Sequence, residues 1–372
     1  MYDVIIVGSG IGGSRLASQL QGLNVLVIEK DRKIVPKDSG IVSKDFLGMF
    51  SKGFVKNKIK RMDLVSPSGK TITMETEQPF AYILKRELFL EYLRSRAMRN
   101  AEFLNGFVKT VEYGNGAYTV STGDNEYRAR FVVGCDGANS FVRKSLGIPD
   151  PRMVYGVMVR SDTVLDGEIK VFFHKYFSPD FFSWIIPQND EYGLVSFASP
   201  TEYLKYFQQK LLLPGGTTYG YPICLGTAKS YANNAILIGD ACGQNKPITG
   251  GGIVFSLKAA TYAADVIEEC FRKNDFSGID GYERRWKQDY GSEIRRQLLF
   301  RRIYRWLTNK DIDRLFDDFG PSLQQLHDFD YDKFTFSWTK MPKLKLLSFL
   351  IASFPLLFRK EIIQNSGNGY RK

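Results

Sequence analysis

Three clusters of glycine with a nearby carboxylate, far apart in the chain, are the residues whose types and spacing suit a nucleotide cofactor. The first, Gly8-Ser9-Gly10-Ile11-Gly12-Gly13, follows the apolar run Val4-Ile5-Ile6-Val7. The second, Gly134-Cys135-Asp136-Gly137-Ala138-Asn139-Ser140, follows Phe131-Val132-Val133. The third runs from Gly239-Asp240-Ala241 through Pro247 to Gly250-Gly251-Gly252, after Ala235-Ile236-Leu237-Ile238. Each sets small residues and a carboxylate at the end of a buried strand, where a sheet can meet a dinucleotide. Three in this order point to a bound flavin.

These residues need particular elements to hold them. A short strand ends at Gly8, a tight turn follows, and a helix begins near Ile11. Gly8 permits the turn, Gly10 lets a pyrophosphate approach the backbone, and Gly13 lets the helix pack on the strand. The phosphate charge then meets the amides at the helix start. A second strand, Asn24-Val25-Leu26-Val27-Ile28, delivers Glu29 nineteen residues after Gly10. A carboxylate there accepts hydrogen bonds from a ribose 2′-OH and repels a 2′-phosphate, so the nucleotide half is an unphosphorylated adenosine, as in FAD or NAD. Residues from Ile59 to Glu77 read as strands around the Pro67-Ser68-Gly69 turn, on the substrate side. Tyr82 to Asn105 brings a strand and then a helix with Arg86 at its start. Phe107 to Val133 is a meander turning at Asn115-Gly116 and Gly123-Asp124. Alternating aromatic strands resume from Tyr155 to Thr227, Gly239 to Arg272 returns to the cofactor domain, and the remainder is mostly helical.

Bulk properties narrow the choice less. At 372 residues the chain is long enough for a large core and for more than one domain. Its four cysteines show no CxxC spacing, which predicts a reduced, cytoplasmic protein. The chain opens at once on its first strand, which predicts no signal peptide. With only His174 and His327, histidine-based metal or triad chemistry is disfavoured, and His174, among Phe172, Phe173 and Tyr176, reads as packing. The formal charge of +11 is concentrated in the C-terminal third, from Arg295 to Lys360. No nucleic-acid motif accompanies it. A solvated helix face is one reading. Peripheral contact with an anionic membrane is another, because lysines and arginines flank the apolar run from Leu346 to Phe358. That run is too short to span a bilayer, and Pro355 interrupts it.

Asp136-Gly137 and Gly239-Asp240 resemble the two further fingerprints of the para-hydroxybenzoate hydroxylase-like flavoproteins. The resemblance implies FAD as cofactor, with Asp240 on the flavin's ribityl chain and Gly250-Gly251-Gly252-Ile253 opening a helix that faces the isoalloxazine. It places Arg86 on the pyrophosphate and adds Gly12, Lys30 and Val108 to the cofactor contacts. Cys135 and Cys242 sit inside the fingerprints as small residues and receive no redox role. The stretch from Gly239 to Ser256, Phe182-Ser183-Trp184-Ile185-Ile186-Pro187, Val42-Ser43-Lys44, and Phe300-Arg301-Arg302 followed by Leu307 to Ile312 resemble the geranylgeranyl reductase branch. In that branch the aromatic motif lines the substrate cavity, which assigns substrate contact to Phe182, Trp184 and Pro187. The implied architecture is α/β: a Rossmann-type FAD-binding domain (1–58, 82–150 and 232–275), an interleaved antiparallel-sheet substrate domain (59–81 and 151–231) and a helical C-terminal region (276–372).

The activity so implied is reduction of isolated C=C bonds in isoprenoid chains, a chemistry that archaeal members apply to membrane lipids. The implied partners are a long-chain isoprenoid lipid and an external reductant, whether NADPH, ferredoxin or a reduced deazaflavin. The expected location is the cytoplasm, peripheral on the inner face of the membrane. Two departures bear on mechanism. Aligned on Val42-Ser43-Lys44, Asp38-Ser39 stand where the reductases carry Cys-Gly, and Phe182 stands where their aromatic motif begins with tyrosine. Asp38 is therefore the candidate proton donor, in competition with Ser39 or a water. An FAD-dependent monooxygenase or halogenase shares all three fingerprints and stays open as an alternative. So does a non-catalytic lipid-binding flavoprotein.

Overall fold

The computed structural model describes residues 1–31, 33, 38–123, 125–325 and 329–333. The run from Leu346 to Phe358, its flanking basic residues, His327 and Asp124 lie outside the described residues. Among those described, the strands are β1 Tyr2–Val7, β2 Val25–Glu29, β3 Ile41–Val42, β4 Val55–Ile59, β5 Arg61–Val65 and β6 Thr71–Glu75. They continue with β7 Ala81–Leu84, β8 Glu102–Asn105, β9 Thr110–Gly114, β10 Ala117–Ser121, β11 Glu126–Gly134 and β12 Arg152–Ser161. The last are β13 Ile169–Phe172, β14 Ser183–Ile186, β15 Glu191–Ser196, β16 Gly216–Leu225, β17 Tyr231–Ala232 and β18 Ala235–Leu237. The helices are α1 Ile11–Ala17, α2 Asp45–Met49, α3 Arg86–Ala97, α4 Phe141–Ser145, α5 Pro200–Lys210, α6 Ile253–Lys273, α7 Asp280–Trp286, α8 Ser292–Trp306 and α9 Asn309–Gln324. The chain forms two compact units: residues 1–58, 81–154 and 221–295, and residues 59–80, 155–220 and 296–372.

In the first unit the sheet order is β17-β18-β11-β1-β2-β8, with β10 and β9 added beside β11. β8, β2, β1, β11 and β18 run parallel, with Val4 opposite both Val25 and Phe131, and Val132 opposite Ala235. Strands buried on both faces need unbroken apolar runs, and these supply them: Val4, Ile5, Ile6, Leu26, Val27, Phe131, Val132, Val133, Ile236 and Leu237 are fully buried. All three glycine clusters leave the same, C-terminal, edge of this sheet, where open α/β folds bind ligands. The meander turns at Asn115 and Gly116, both at positive φ, as a two-residue hairpin requires. A short sheet of β3, β7 and β4 joins this unit.

The second unit carries a sheet in the order β16-β12-β15-β14-β13-β5-β6. Its pairings include four antiparallel ones and one parallel pair, β5 with β13, inside the otherwise alternating pattern. Val157, Val159, Phe172, Tyr192 and Leu194 on one face pack with Leu204 and Phe207 of α5. The aromatic stretch from Tyr155 to Thr227 is thus interrupted by a helix that the alternation did not reveal. Period 2 places Trp184, Ile186, Glu191 and Gly193 on the opposite face.

Candidate functional site

The glycines of the first cluster divide their work. Gly8 has φ of +97°, and a side chain there would meet the Cys135 carbonyl at 2.5 Å. A Cβ on Gly13 would lie 2.0 Å from the Gly8 carbonyl, and one on Gly12 2.8 Å from Ile238 Cγ2. These three keep turn, helix and sheet in contact. Gly10 differs: it has φ of −67°, caps α1 without a side chain, and a Cβ there would meet nothing within 4 Å. Open space above Gly10 is where a pyrophosphate can come down onto backbone.

Glu29 closes this turn from β2. Its Oε2 accepts from Ser9 N at 2.7 Å and Ser9 Oγ at 2.9 Å, its Oε1 accepts from Asp31 N at 2.9 Å, and Arg94 Nη2 stands 3.5 Å away. The carboxylate is thus fixed beside the glycine turn, with lone pairs left for a ribose. Lys30 projects an exposed side chain, while its carbonyl accepts from Asn105 Nδ2. Val108 is buried in the core with Ile28 and Val120, so its side chain packs inward.

The second cluster is built around Asp136. Its carboxylate accepts from Ser140 Oγ and from the N–H groups of Phe141 and Val142, and so caps α4. Gly137, at φ of +81°, makes the bend before it. Arg143, fully buried, donates to the carbonyls of Ala138 and Ala241 and pairs with Asp150. That one guanidinium ties the second cluster to the third. It carried no signal in the sequence beyond being an arginine in a short helix.

In the third cluster Gly239 N donates to Gln244 Oε1, and Asp240 Oδ1 accepts from Asn245 Nδ2 at 3.0 Å. Burial pushes the Asp240 carboxyl up from the ordinary aspartate range; the Asn245 hydrogen bond opposes this, and the charge of Asp38 adds to it. Gly250 N donates to the Lys246 carbonyl, and Lys246 N to the Gly251 carbonyl, closing a compact loop. Gly252 caps α6, whose first turn begins at Ile253 with no side-chain cap and no acidic residue. Cys135, Cys224 and Cys242 have thiols pushed up by burial and are held as protonated, unreactive groups.

Arg86 and Asp38 come together. Arg86 opens α3, its Nη2 meets Asp38 Oδ2 at 2.5 Å, and Asp38 Oδ1 accepts from Gly40 N at 2.8 Å. Among the described residues, the buried Nε and Nη1 of Arg86 have no hydrogen-bond partner, nor does Asn245 Oδ1. Buried donors on a permanent cation require an acceptor. Together with the space over Gly10 and the bare start of α6, they fit the pyrophosphate and polar edges of FAD.

The second unit holds the other predicted residues. Trp184 is 8% exposed, and its ring lies over Gly193, where a Cβ would come within 2.6 Å of Cζ2. Its Nε1 donates to Glu191 Oε1 at 3.2 Å; Glu191 is itself buried. Phe182 stacks edge-on against Trp184 and touches Phe173 and Phe181. Pro187 is buried at the end of β14. Glu191 and Gly193 were missed because only strand register brings them to Trp184. His174 stacks on Phe177, and burial lowers its pKa, as a packing residue behaves.

The chain is 29% identical to a digeranylgeranylglycerophospholipid reductase of Methanocaldococcus jannaschii, over 87% of this chain and 92% of that protein. It is 27% identical to the enzyme of that name from Methanococcus aeolicus, with the same coverage. A crystal structure of a geranylgeranyl bacteriochlorophyll reductase-like protein from Thermoplasma acidophilum superposes with a TM-score of 0.80 at 21% identity, covering 95% of this chain and 99% of the other. Residues 1–211 match the family described as FAD binding domain, and this chain, whose glycine clusters and Arg86 suit that cofactor, belongs to it.

Proposed function

We propose that the protein is an FAD-dependent reductase that saturates isolated C=C bonds in the isoprenoid chains of a membrane lipid. The observation that carries this reading is the extent of the likeness to the digeranylgeranylglycerophospholipid reductases, which takes in 87% of the chain and so exceeds the FAD-binding match. FAD, when bound and reduced, supplies hydride chemistry. The protein's own residues hold and orient. Gly10 and Arg86 would take the pyrophosphate, Glu29 the adenosine ribose and Asp240 the ribityl hydroxyls. The glycines from Gly250 to Gly252 leave backbone bare for the flavin ring. Phe182, Trp184 and Pro187 would form an apolar wall for the prenyl chain. The alkene also needs a proton. Asp38 can give one only by leaving Arg86; Ser39 or a water is the other source.

The electron donor is external in this reading: nicotinamide, ferredoxin or reduced deazaflavin. The location is the cytoplasm, with peripheral membrane contact. The test is anaerobic. Enzyme reduced chemically should be reoxidised by a digeranylgeranyl glycerophospholipid in detergent, with return of the oxidised flavin absorbance and a mass gain of two hydrogens per bond. No reoxidation by any prenyl lipid sinks the reading. Turnover that consumes O₂ would assign the monooxygenase or halogenase reading instead.

A further inference from the structure

We infer that Asp38 is a positioning residue: its carboxylate holds the Arg86 guanidinium at the dinucleotide site and leaves the other N–H groups free for a phosphate. The inference rests on the FAD assignment and goes beyond it. Two strands fix the pair. The segment after Asp38 enters β3, where Ile41 and Val42 pair with Ile83 and Tyr82 of β7. Leu84 N donates to the Gly40 carbonyl at 3.0 Å, and Arg86 follows two residues later. Gly40, at φ of +68°, wraps the arginine stem so closely that a Cβ would lie 2.6 Å from Arg86 Cδ. Gly40 N in turn orients the carboxylate.

Charge completes the argument. Arginine stays protonated in proteins, so a guanidinium whose side chain is only 12% exposed needs anions around it. Asp38, 43% exposed, satisfies Nη2 alone. Nε and Nη1 remain buried without partners among the described residues. The negative charge of Asp38 also adds to the upward push that burial exerts on the Asp240 carboxyl. A diphosphate is the ligand whose geometry and charge suit the remaining donors.

The experiment is FAD release from purified holoprotein, followed as recovery of flavin fluorescence on dilution, with thermal melts as a folding control. Asp38→Ala should raise the FAD Kd roughly tenfold, the loss of about one charge-assisted hydrogen bond. Asp38→Glu, which keeps the carboxylate, should stay within about threefold of wild type. Arg86→Met should raise the Kd at least as far as Asp38→Ala, and the double variant should be no worse than Arg86→Met alone, because the acid acts through the base. Unchanged or tighter binding in Asp38→Ala overturns the inference, as does an effect that persists undiminished beside Arg86→Met. If Asp38→Ala folds poorly, Asp38→Asn is read instead. An Asn variant that keeps wild-type FAD affinity but reoxidises with lipid about 10²-fold more slowly assigns the acid role to Asp38 and overturns the positioning role. Wild-type protein that releases no FAD on denaturation sinks the cofactor assignment itself, a separate failure.

Discussion

Gly10 and Gly13 are three residues apart and answer to different constraints. A side chain at Gly10 meets open space, so Gly10→Val should fold with a loss of about 1 kcal/mol or less while blocking the pyrophosphate. Purified Gly10→Val should be colourless with a near-normal melt. At Gly13 a methyl group would collide with the Gly8 carbonyl, so Gly13→Ala should cost about 3 kcal/mol or more and fail before binding is in question. Denaturant titrations of both variants check this contrast; a yellow, stable Gly10→Val would refute the role given to that residue. Asp240 offers a second test. Its folded pKa is raised by burial, so its contribution to stability is full below the unfolded value and lost as pH rises through the folded value. Asp240→Asn should therefore raise the melting temperature of FAD-free protein near pH 7, with the gain vanishing below about pH 4, while FAD content falls.

Elements transmit these constraints. Arg143 links the loop before α4 to the loop after β18 through two carbonyls. Replacing it with Met should cost about 3 kcal/mol or more, because buried acceptors lose a cationic donor, and FAD should be lost with it. A melt within 1 °C of wild type would contradict that. Between β13 and β14, Lys175 Nζ donates to the carbonyls of Pro179 and Tyr304, and burial lowers its pKa to about 8. A base with a depressed folded pKa gains stability above its unfolded value and loses it as pH falls through the folded one. Wild type should hence gain stability between pH 8 and about 10.5 from this residue, and Lys175→Met should show a flatter profile there in melts at paired pH values. How much of this was legible in sequence depends on range. β1, α1 and β2 could be read because an apolar run, a glycine turn and an acid sit within thirty residues and each has a local cause. α5 is absorbed into a stretch that reads as strands, although Leu204, Phe207 and Leu211 recur at helical spacing and Pro200 and Glu202 mark its first turn. The pairing of Asp38 with Arg86 and the seat of Trp184 on Gly193 depend on register across separate segments, which local patterns do not encode.

At the scale of the molecule, the basic excess is not one uniform surface. Arg301 is 4% exposed, with its guanidinium over the Phe181 ring, and Arg305 lies over Phe197, so part of the C-terminal charge serves aromatic packing. Among the described residues no helix is long and apolar enough to cross a membrane. The proposed membrane contact would fall to the run from Leu346 to Phe358, which lies outside the described residues. Neutralising Lys343, Lys345, Arg359 and Lys360 should weaken binding to anionic liposomes by about 1 kcal/mol per residue, most strongly at low salt. Binding that ignores all four changes would mean that the segment does not meet the lipid surface.

The placement of β1 between β2 and β11 has a consequence for the protein's birth. As the chain leaves the ribosome, β1 finds β2 almost at once, but its other edge waits for β11, more than 110 residues later. At synthesis rates of about 5–20 residues per second that edge stays bare for roughly 6–24 s. Through that interval Val4, Ile5 and Ile6 form a strand with an unpaired apolar margin, the kind of surface that recruits chaperones or another nascent chain. The third glycine cluster emerges later still, so the cofactor cannot help the early fold. Yield in the cell should therefore depend more on chaperone supply than on flavin supply.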